Sequence, residues 1–396
     1  MNLSTKILIA LGLGIVAGLQ LGAEGAAFAK AWIGPLGTIF MNLIKMVIVP
    51  LVFSSLVMGV CGLGDVKKLG RVGFKTVALY LITTAFAIAL GIAFGVLVEP
   101  GAGLNMSTEG LKVTAKAAPP IMKVIIDIFP TNPLGAMVKA NMLQIILFAL
   151  FVGVGIVAVG EKAEALKNTI DGLAEVCYKM VAIIMSFAPF GVFGLITPVV
   201  AANGPAVLLP LLKVIICVYV GCLLHAIIVY GAMVSVMAKM SPMQFFKAAS
   251  PASLLAFSSC SSSGTLPLTM DCMRKMGVSQ SISSFVLPLG ATINMDGTAL
   301  YQGVCALFVA QIYGVELTSA QYVTILLTGT LASIGTAGVP GAGFIMLTMI
   351  LTALGLPLEG SALIAGIDRI LDMPRTSVNV TGDAAVTLIV DKSENA

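Results

Sequence analysis

The sequence predicts an all-α polytopic membrane protein with eight transmembrane helices and two re-entrant helical hairpins. Three observations predict it. Of the 396 residues, 58% are hydrophobic and only 10% charged, where a soluble domain is about a quarter charged, and mean hydropathy is +1.06. Six apolar stretches are long enough to span a bilayer, which takes about 20 residues. Two later apolar stretches are interrupted by small polar residues, and an apolar helix carrying acids follows each of them.

The six spans lie near 4–23, 37–63, 74–99, 141–160, 169–200 and 205–237. The first 31 residues also fit a secretory leader (Lys6, an apolar run, then AFAKA at 27–31), but the topology uses this run as a retained helix. The linker 100–140, with Pro119 and Pro120, is the one long excursion, and its part 121–129 is expected to dip back as short helices. Lys67, Lys68, Arg71 and Lys75 place the loop after the second span in the cytoplasm, with Lys6 and the amino terminus. Alternation then puts 100–140 outside, Lys162 and Lys167 inside, and AANGPA (201–206) outside.

Lys239 and Lys247 precede the serine-rich segment, and Arg274 and Lys275 follow it. Both flanks favour the cytoplasm, so the segment between them, about 243–276, enters and returns with its tip at SSSGT (261–265). A span from 279 to about 307 crosses outward. The second interrupted segment, about 317–354, has only Glu316 and Glu359 beside it and is expected to enter from outside. A last helix, about 360–390, returns the chain to a cytoplasmic DKSENA tail. Two hairpins approaching from opposite faces are what an inverted repeat produces, and irregular backbone at membrane depth lines a cavity. Inner-membrane localisation, with both termini cytoplasmic, follows.

The last helix carries Asp368, Asp372, Arg375, Thr376, Asn379 and Asp383 within one arc of about 100° on an otherwise apolar surface. Each mid-membrane charge costs about 2.5–3.5 kcal/mol on insertion scales, so the stripe faces a polar interior. Asp296, Asp368, Asp372 and Asp383 against Arg369 and Arg375 leave a formal charge of −2, and an acidic amino acid makes it more negative. Buried charge must be compensated, and co-bound monovalent cations are the natural remedy. NMDGT (294–298) offers the hard oxygens of Asn294 and Asp296, with Gly297 suggesting a helix break. SSSGT places hydroxyls and N–H groups at a half-helix terminus suited to a carboxylate. GTAGVPGAG (335–343) joins flexible glycines to Pro340, as a moving gate requires.

Other classes fare worse. The net charge of +4 is scattered and does not suggest nucleic acid. Seven cysteines lie in apolar segments without metal-ligand spacing, so no structural disulfide is expected. An intramembrane serine hydrolase needs a base, and His225, the sole histidine, sits in LLHAIIVY far from the serine cluster with no GxSxG present. His225 is read as a hydrogen-bonded core residue. A pure channel would lack stoichiometric coupling.

At these motifs the chain resembles the dicarboxylate/amino acid:cation symporter family, the sodium-coupled glutamate and aspartate transporters, over nearly its whole length. The resemblance implies a homotrimer whose scaffold (residues 1–73 and 100–204) holds an elevator-like transport domain (74–99 and 205–396). It implies that Ser262, Thr298, Val339, Asp372, Arg375, Thr376 and Asn379 hold substrate. Asp372 takes the amino group, Asn379 and hairpin backbone the α-carboxylate, and Arg375 the side-chain carboxylate, which a guanidinium pairs in bidentate fashion. It also implies three sodium clusters: Gly290, Asn294, Asn379 and Asp383; Thr292, Ser333, Ile334 and Thr336; and Tyr80, Thr83, Thr84, Asn294 and Asp296, where YLITT (80–84) matches the third-span motif.

Three departures stand out. Cys260 and Met373 occupy the two positions where many members place an arginine, and Arg369 is the candidate substitute. Pro374 stands where a small residue is common and is expected to kink the helix. Gln302 replaces the glutamate of proton- and potassium-coupled animal members, which argues against potassium countertransport. The expected activity is sodium-driven uptake of L-aspartate or L-glutamate, not enzymatic. The alternatives are a proton-coupled glutamate symporter and a C4-dicarboxylate symporter, in which Asp372 would face a substrate without an amine.

Overall fold

The structure is a computed structural model and describes residues 3–61, 66–104, 106, 126, 129–139, 141–334, 336, 338 and 341–394. Every regular element among these residues is helical. α1 (Leu3–Phe28) bends at Gly22, whose φ of 57° suits a residue without a Cβ. A π turn (Ala29–Ile33) leads into α2 (Gly34–Cys61). α3 (Val66–Val98) begins earlier than the predicted residue 74. Within the linker lies a short helix that the sequence did not predict, α4 (Pro133–Val138), capped by Asn132 accepting from the Gly135 N–H at 3.0 Å. Most of 121–129 lies outside the described residues.

α5 (Met142–Val159) follows. The predicted single span 169–200 is instead two helices, α6 (Glu164–Ser186) and α7 (Ala188–Asn203). Pro189 explains the break, because it has no N–H for the preceding turn yet is well placed in the first turn of a new helix. Glu164, Lys167, Asp171, Glu175 and Lys179 form an exposed stripe on α6. The predicted span 205–237 is α8 (Leu208–Leu224), a π turn (His225–Tyr230) and α9 (Gly231–Met237).

The serine-rich segment forms a helix pair, α10 (Pro242–Ser259) and α11 (Ser262–Lys275). The span predicted from 279 is broken into α12 (Gln280–Ile293) and α13 (Asp296–Ile312). A second helix pair follows, α14 (Ser319–Ser333), opened by a Thr318–Gln321 capping box, and α15 (Ala342–Leu354). α16 (Ser361–Glu394) closes the chain. By length and composition, three described stretches can each cross a membrane: Thr5–Phe40, Arg71–Val98 and Gly204–Met237.

The helices pack in two groups. α1, α2, α5, α6 and α7 pack mainly among themselves, while α3 and α8 to α16 form the other group around α13 and α16. Small residues set the closest crossing in the second group. A Cβ at Gly91 of α3 would strike the Leu300 carbonyl of α13, and one at Gly303 would strike α3 backbone. The end of α16 is tied to the start of α3, where Glu394 pairs with Arg71 and, at 2.7 Å, with Lys75. It is also tied to α12, because Asp391 accepts from the Ser279 N–H at 3.1 Å and its hydroxyl at 2.6 Å. All seven cysteines are buried free thiols.

Candidate functional site

The first helix pair turns at Cys260 and Ser261, not across SSSGT as the sequence predicts. Cys260 caps α10 in the left-handed region (φ 55°, ψ 38°), a conformation few residues other than glycine adopt. Ser261 then caps α11, accepting from the Gly264 N–H at 3.0 Å. Ser262 to Thr265 therefore make the first turn of α11, where backbone N–H groups lack helical partners. The Ser261 hydroxyl donates to the Gly338 carbonyl at 3.0 Å, and the Ser263 N–H donates to it at 3.3 Å. The tips of the two helix pairs are thus bonded to each other. Gly335, Ala337, Val339 and Pro340 lie outside the described residues, so the expected glycine–proline gate and the Val339 role have no structural account.

Behind the bonded tips lies a small cavity of about 10 Å³, room for about one water. Ser262, Thr298, Asp372, Thr376 and Asn379 line it, together with Cys260. Five of the seven predicted substrate residues therefore face one space. Arg375 lies 0% exposed on the same helix as Asp372. It donates to Asp368 Oδ1 at 3.0 Å, pairs with Asp372 Oδ1 at 2.9 Å, and holds its guanidinium carbon 3.9 Å from the centre of the Tyr301 ring. A cation against an aromatic face adds about 0.5–2 kcal/mol. Asp372 also accepts from the Thr376 hydroxyl at 3.3 Å and the Gly341 N–H at 3.4 Å.

The predicted cation ligands gather around the break between α12 and α13. Asn294 Nδ2 donates to Asp383 Oδ1 at 2.9 Å and to the Asn379 carbonyl at 3.0 Å. Asn294 Oδ1 is buried without a hydrogen-bond partner among the described residues, an acceptor suited to a hard cation. Gly290 is held against Asp383 and Tyr80, since a Cβ there would strike both. The first predicted cluster is therefore assembled. In the third, the Thr84 hydroxyl donates to Asp296 Oδ1 at 2.7 Å. Tyr80 donates to the Val286 carbonyl at 3.2 Å, and the Thr83 hydroxyl to the Tyr80 carbonyl at 3.1 Å.

The second cluster is not joined by direct bonds. Thr292, Ser333 and Thr336 each donate within their own turn of chain, to Leu289, Thr330 and Ala332. Ile334 caps the end of α14.

Sequence reasoning missed four partners. Tyr230 donates to Asp296 Oδ2 at 2.7 Å, and His225 Nε2 lies 3.1 Å from the same oxygen. His225 is the hydrogen-bonded core residue expected, but its partner is a predicted cation ligand. An ionisable group on an apolar span was the available signal. Tyr301 and Asp368 frame Arg375, and neither was assigned a role.

One expectation about α13 needs correcting. The break falls at Asn294 and Met295, and Gly297 is already helical. Gly297 is required for close approach, since a Cβ there would strike the Arg375 backbone. Its N–H donates to Asn379 Oδ1 at 2.8 Å. Gly297→Ala is therefore expected to cost about 1–3 kcal/mol by overpacking and to lower the thermal midpoint of the purified protein; an unchanged midpoint contradicts the contact. α16 runs through Pro374 as one helix, Ser361–Glu394.

Arg369 also leaves the charge count. It is half-buried at the edge of the site and donates to the Ser258 carbonyl at 3.0 Å, against the negative end of α10. Around the site the buried interior thus sets Asp296, Asp368, Asp372 and Asp383 against one guanidinium, Arg375, with a fifth buried aspartate, Asp391, held apart at Ser279.

Comparison with known proteins gives a consistent picture. A family model described as "Sodium:dicarboxylate symporter family" matches residues 3–393. The chain is 39% identical to a "Proton/sodium-glutamate symport protein" of Bacillus caldotenax, covering 99% of this chain and 94% of that one. It is 38% identical to a "Proton/glutamate-aspartate symporter" of Escherichia coli, covering 100% and 93%. A "C4-dicarboxylate transport protein" of Bacillus subtilis is 34% identical, covering 100% and 94%.

Proposed function

Because the chain belongs to the sodium:dicarboxylate symporter family, whose members are membrane transporters and not enzymes, we propose that it couples inward sodium flux to uptake of L-aspartate or L-glutamate. The observation that carries this reading is the excess of buried aspartates over guanidinium in the site region: Asp368 and Asp372 pair with Arg375, while Asp296 and Asp383 have no arginine or lysine beside them among the described residues. Burial of unmatched charge is costly, and mobile cations relieve it. The orphaned Asn294 Oδ1, in the cluster with Asp383, supports cation binding there. Moving such charge also draws on the membrane potential, about 2.3 kcal/mol per charge per 100 mV.

The Arg375–Asp372 pair supports an acidic amino acid as substrate. A zwitterion with a second carboxylate exchanges that one pair for two: its amine meets Asp372 and its side-chain carboxylate meets Arg375. Ser262, Thr298, Thr376 and Asn379 then surround the rest, with the N-terminal end of α11 at Ser262 turned to the α-carboxylate. A C4-dicarboxylate would leave Asp372 without a cation to meet. The two helix groups support a division into scaffold and transport domain; the homotrimer, eight spans, two re-entrant hairpins and cytoplasmic termini enter the proposal through the resemblance to the family. The bonded hairpin tips support a closed, occluded form of the site.

A second reading, proton coupling, is favoured by one observation: His225 lies against Asp296, two protonatable groups in direct contact. One experiment separates the two. Labelled aspartate, glutamate and succinate are offered to proteoliposomes under an inward sodium gradient, an inward proton gradient, or neither. Sodium-dependent accumulation of the amino acids is expected; equal accumulation on protons alone transfers the assignment to the second reading.

A further inference from the structure

Proline inside a helix removes one hydrogen bond and presses its ring toward the carbonyl four residues back. Pro374 directly precedes Arg375, yet α16 is unbroken there. The carbonyl deprived of its helical donor is that of Ile370, and the Tyr219 hydroxyl donates to it at 3.1 Å. Tyr219 comes from α8, and its ring stands edge-on to Phe257 of α10, with centroids 6.5 Å apart and planes at 82°. A largely apolar cavity of about 500 Å³, lined by Tyr219, Phe257 and Pro374, adjoins this contact. Of the hydroxyls in its lining, those of Ser250, Ser253 and Thr381 are engaged with other partners. One side chain from a different helix thus mends the last helix one residue before its buried guanidinium.

We propose that Tyr219 is a positioning residue for the substrate site: its hydroxyl supplies the bond that Pro374 deletes and so fixes the backbone from which Arg375 is aimed. The proposal rests on the reading that Arg375 receives a carboxylate of the substrate. Arg375 is held by contacts of 3.0 Å to Asp368, 2.9 Å to Asp372 and 3.9 Å to the Tyr301 ring. Its aim tolerates little movement of the backbone, and such geometry is lost by small shifts. The pairing also accounts for proline at this position, since the compensating donor is on a neighbouring helix.

The test is a cycle of four proteins: the parent, Tyr219→Phe, Pro374→Ala, and both together. Alanine restores the backbone N–H, so in that background the hydroxyl has no vacancy to fill. Uptake is measured against substrate concentration with whichever of aspartate, glutamate or succinate the parent accumulates. Failure of the substrate assignment therefore shows in the parent, and failure of the positioning role only in the cycle. Tyr219→Phe is expected to raise KM about tenfold in the parent, as an unsatisfied carbonyl allows, with the maximal rate within about twofold. In the Pro374→Ala background the same change is expected to move KM by less than about twofold, because the two residues share one bond. An equal KM shift in both backgrounds, no shift in the parent, or a fall confined to maximal rate overturns the proposal.

Discussion

Replacing Arg375 with alanine is expected to abolish uptake of acidic substrates, lowering the apparent kcat/KM by about 10²–10³-fold. Arg375 is 0% exposed and touches two carboxylates and an aromatic face. Removing one partner of a buried ion pair costs about 3–5 kcal/mol, because the other charge stays buried and unmatched. Here the substrate's own carboxylate also loses its partner. Arg375→Lys is the informative companion, since it keeps the charge but not the planar fork. It is expected to retain folding while losing most acidic transport, and labelled aspartate uptake beside a neutral amino acid reads both effects. Undiminished aspartate uptake in either variant would falsify the role given to Arg375.

The second large effect concerns cations. Asp383→Asn removes one charge while leaving an oxygen of similar shape beside Asn294, which donates to it at 2.9 Å. At an effective dielectric of about 20, a unit charge 4 Å from a cation contributes about 4 kcal/mol, so even part of that raises the sodium concentration for half-maximal uptake by tenfold or more. Asp296→Asn is expected to act in the same direction. It also disturbs Thr84, Tyr230 and His225, which all bond that carboxylate. Sodium titrations of aspartate uptake check both. A half-saturation value that does not move in either variant removes these carboxylates from the cation path.

Much of this architecture was legible because lipid imposes strong rules on composition. Polar residues inside apolar runs had to sit where a cavity accepts them, which located both helix pairs, the broken span and the polar face of α16. Charge flanks set where the first helix pair begins and ends. What stayed illegible depends on contacts between distant segments. Nothing local to LLHAIIVY announces that a π turn carries His225 and Tyr230 to Asp296, about 70 residues onward. The role of Gly297 is equally remote, since only the packed Arg375 backbone forbids a Cβ there. Pro189 was a readable warning that 169–200 is not one helix, but apolar content outweighed it. The proposed second cation cluster depends on the geometry of the α14 tip, where the Ser333 and Thr336 hydroxyls each bond within their own turn.

Asn379 sits on both sides of the ledger of ligands. Its carbonyl oxygen accepts from Asn294 in the proposed cation cluster, while its side chain lines the proposed substrate cavity and accepts from Gly297. One residue that answers to two guests makes their affinities mutually dependent: whatever factor the ion lends the amino acid, the amino acid must return to the ion. On the proposed assignment, a carrier joined at such a residue resists slipping, because each passenger binds more tightly when the other is aboard.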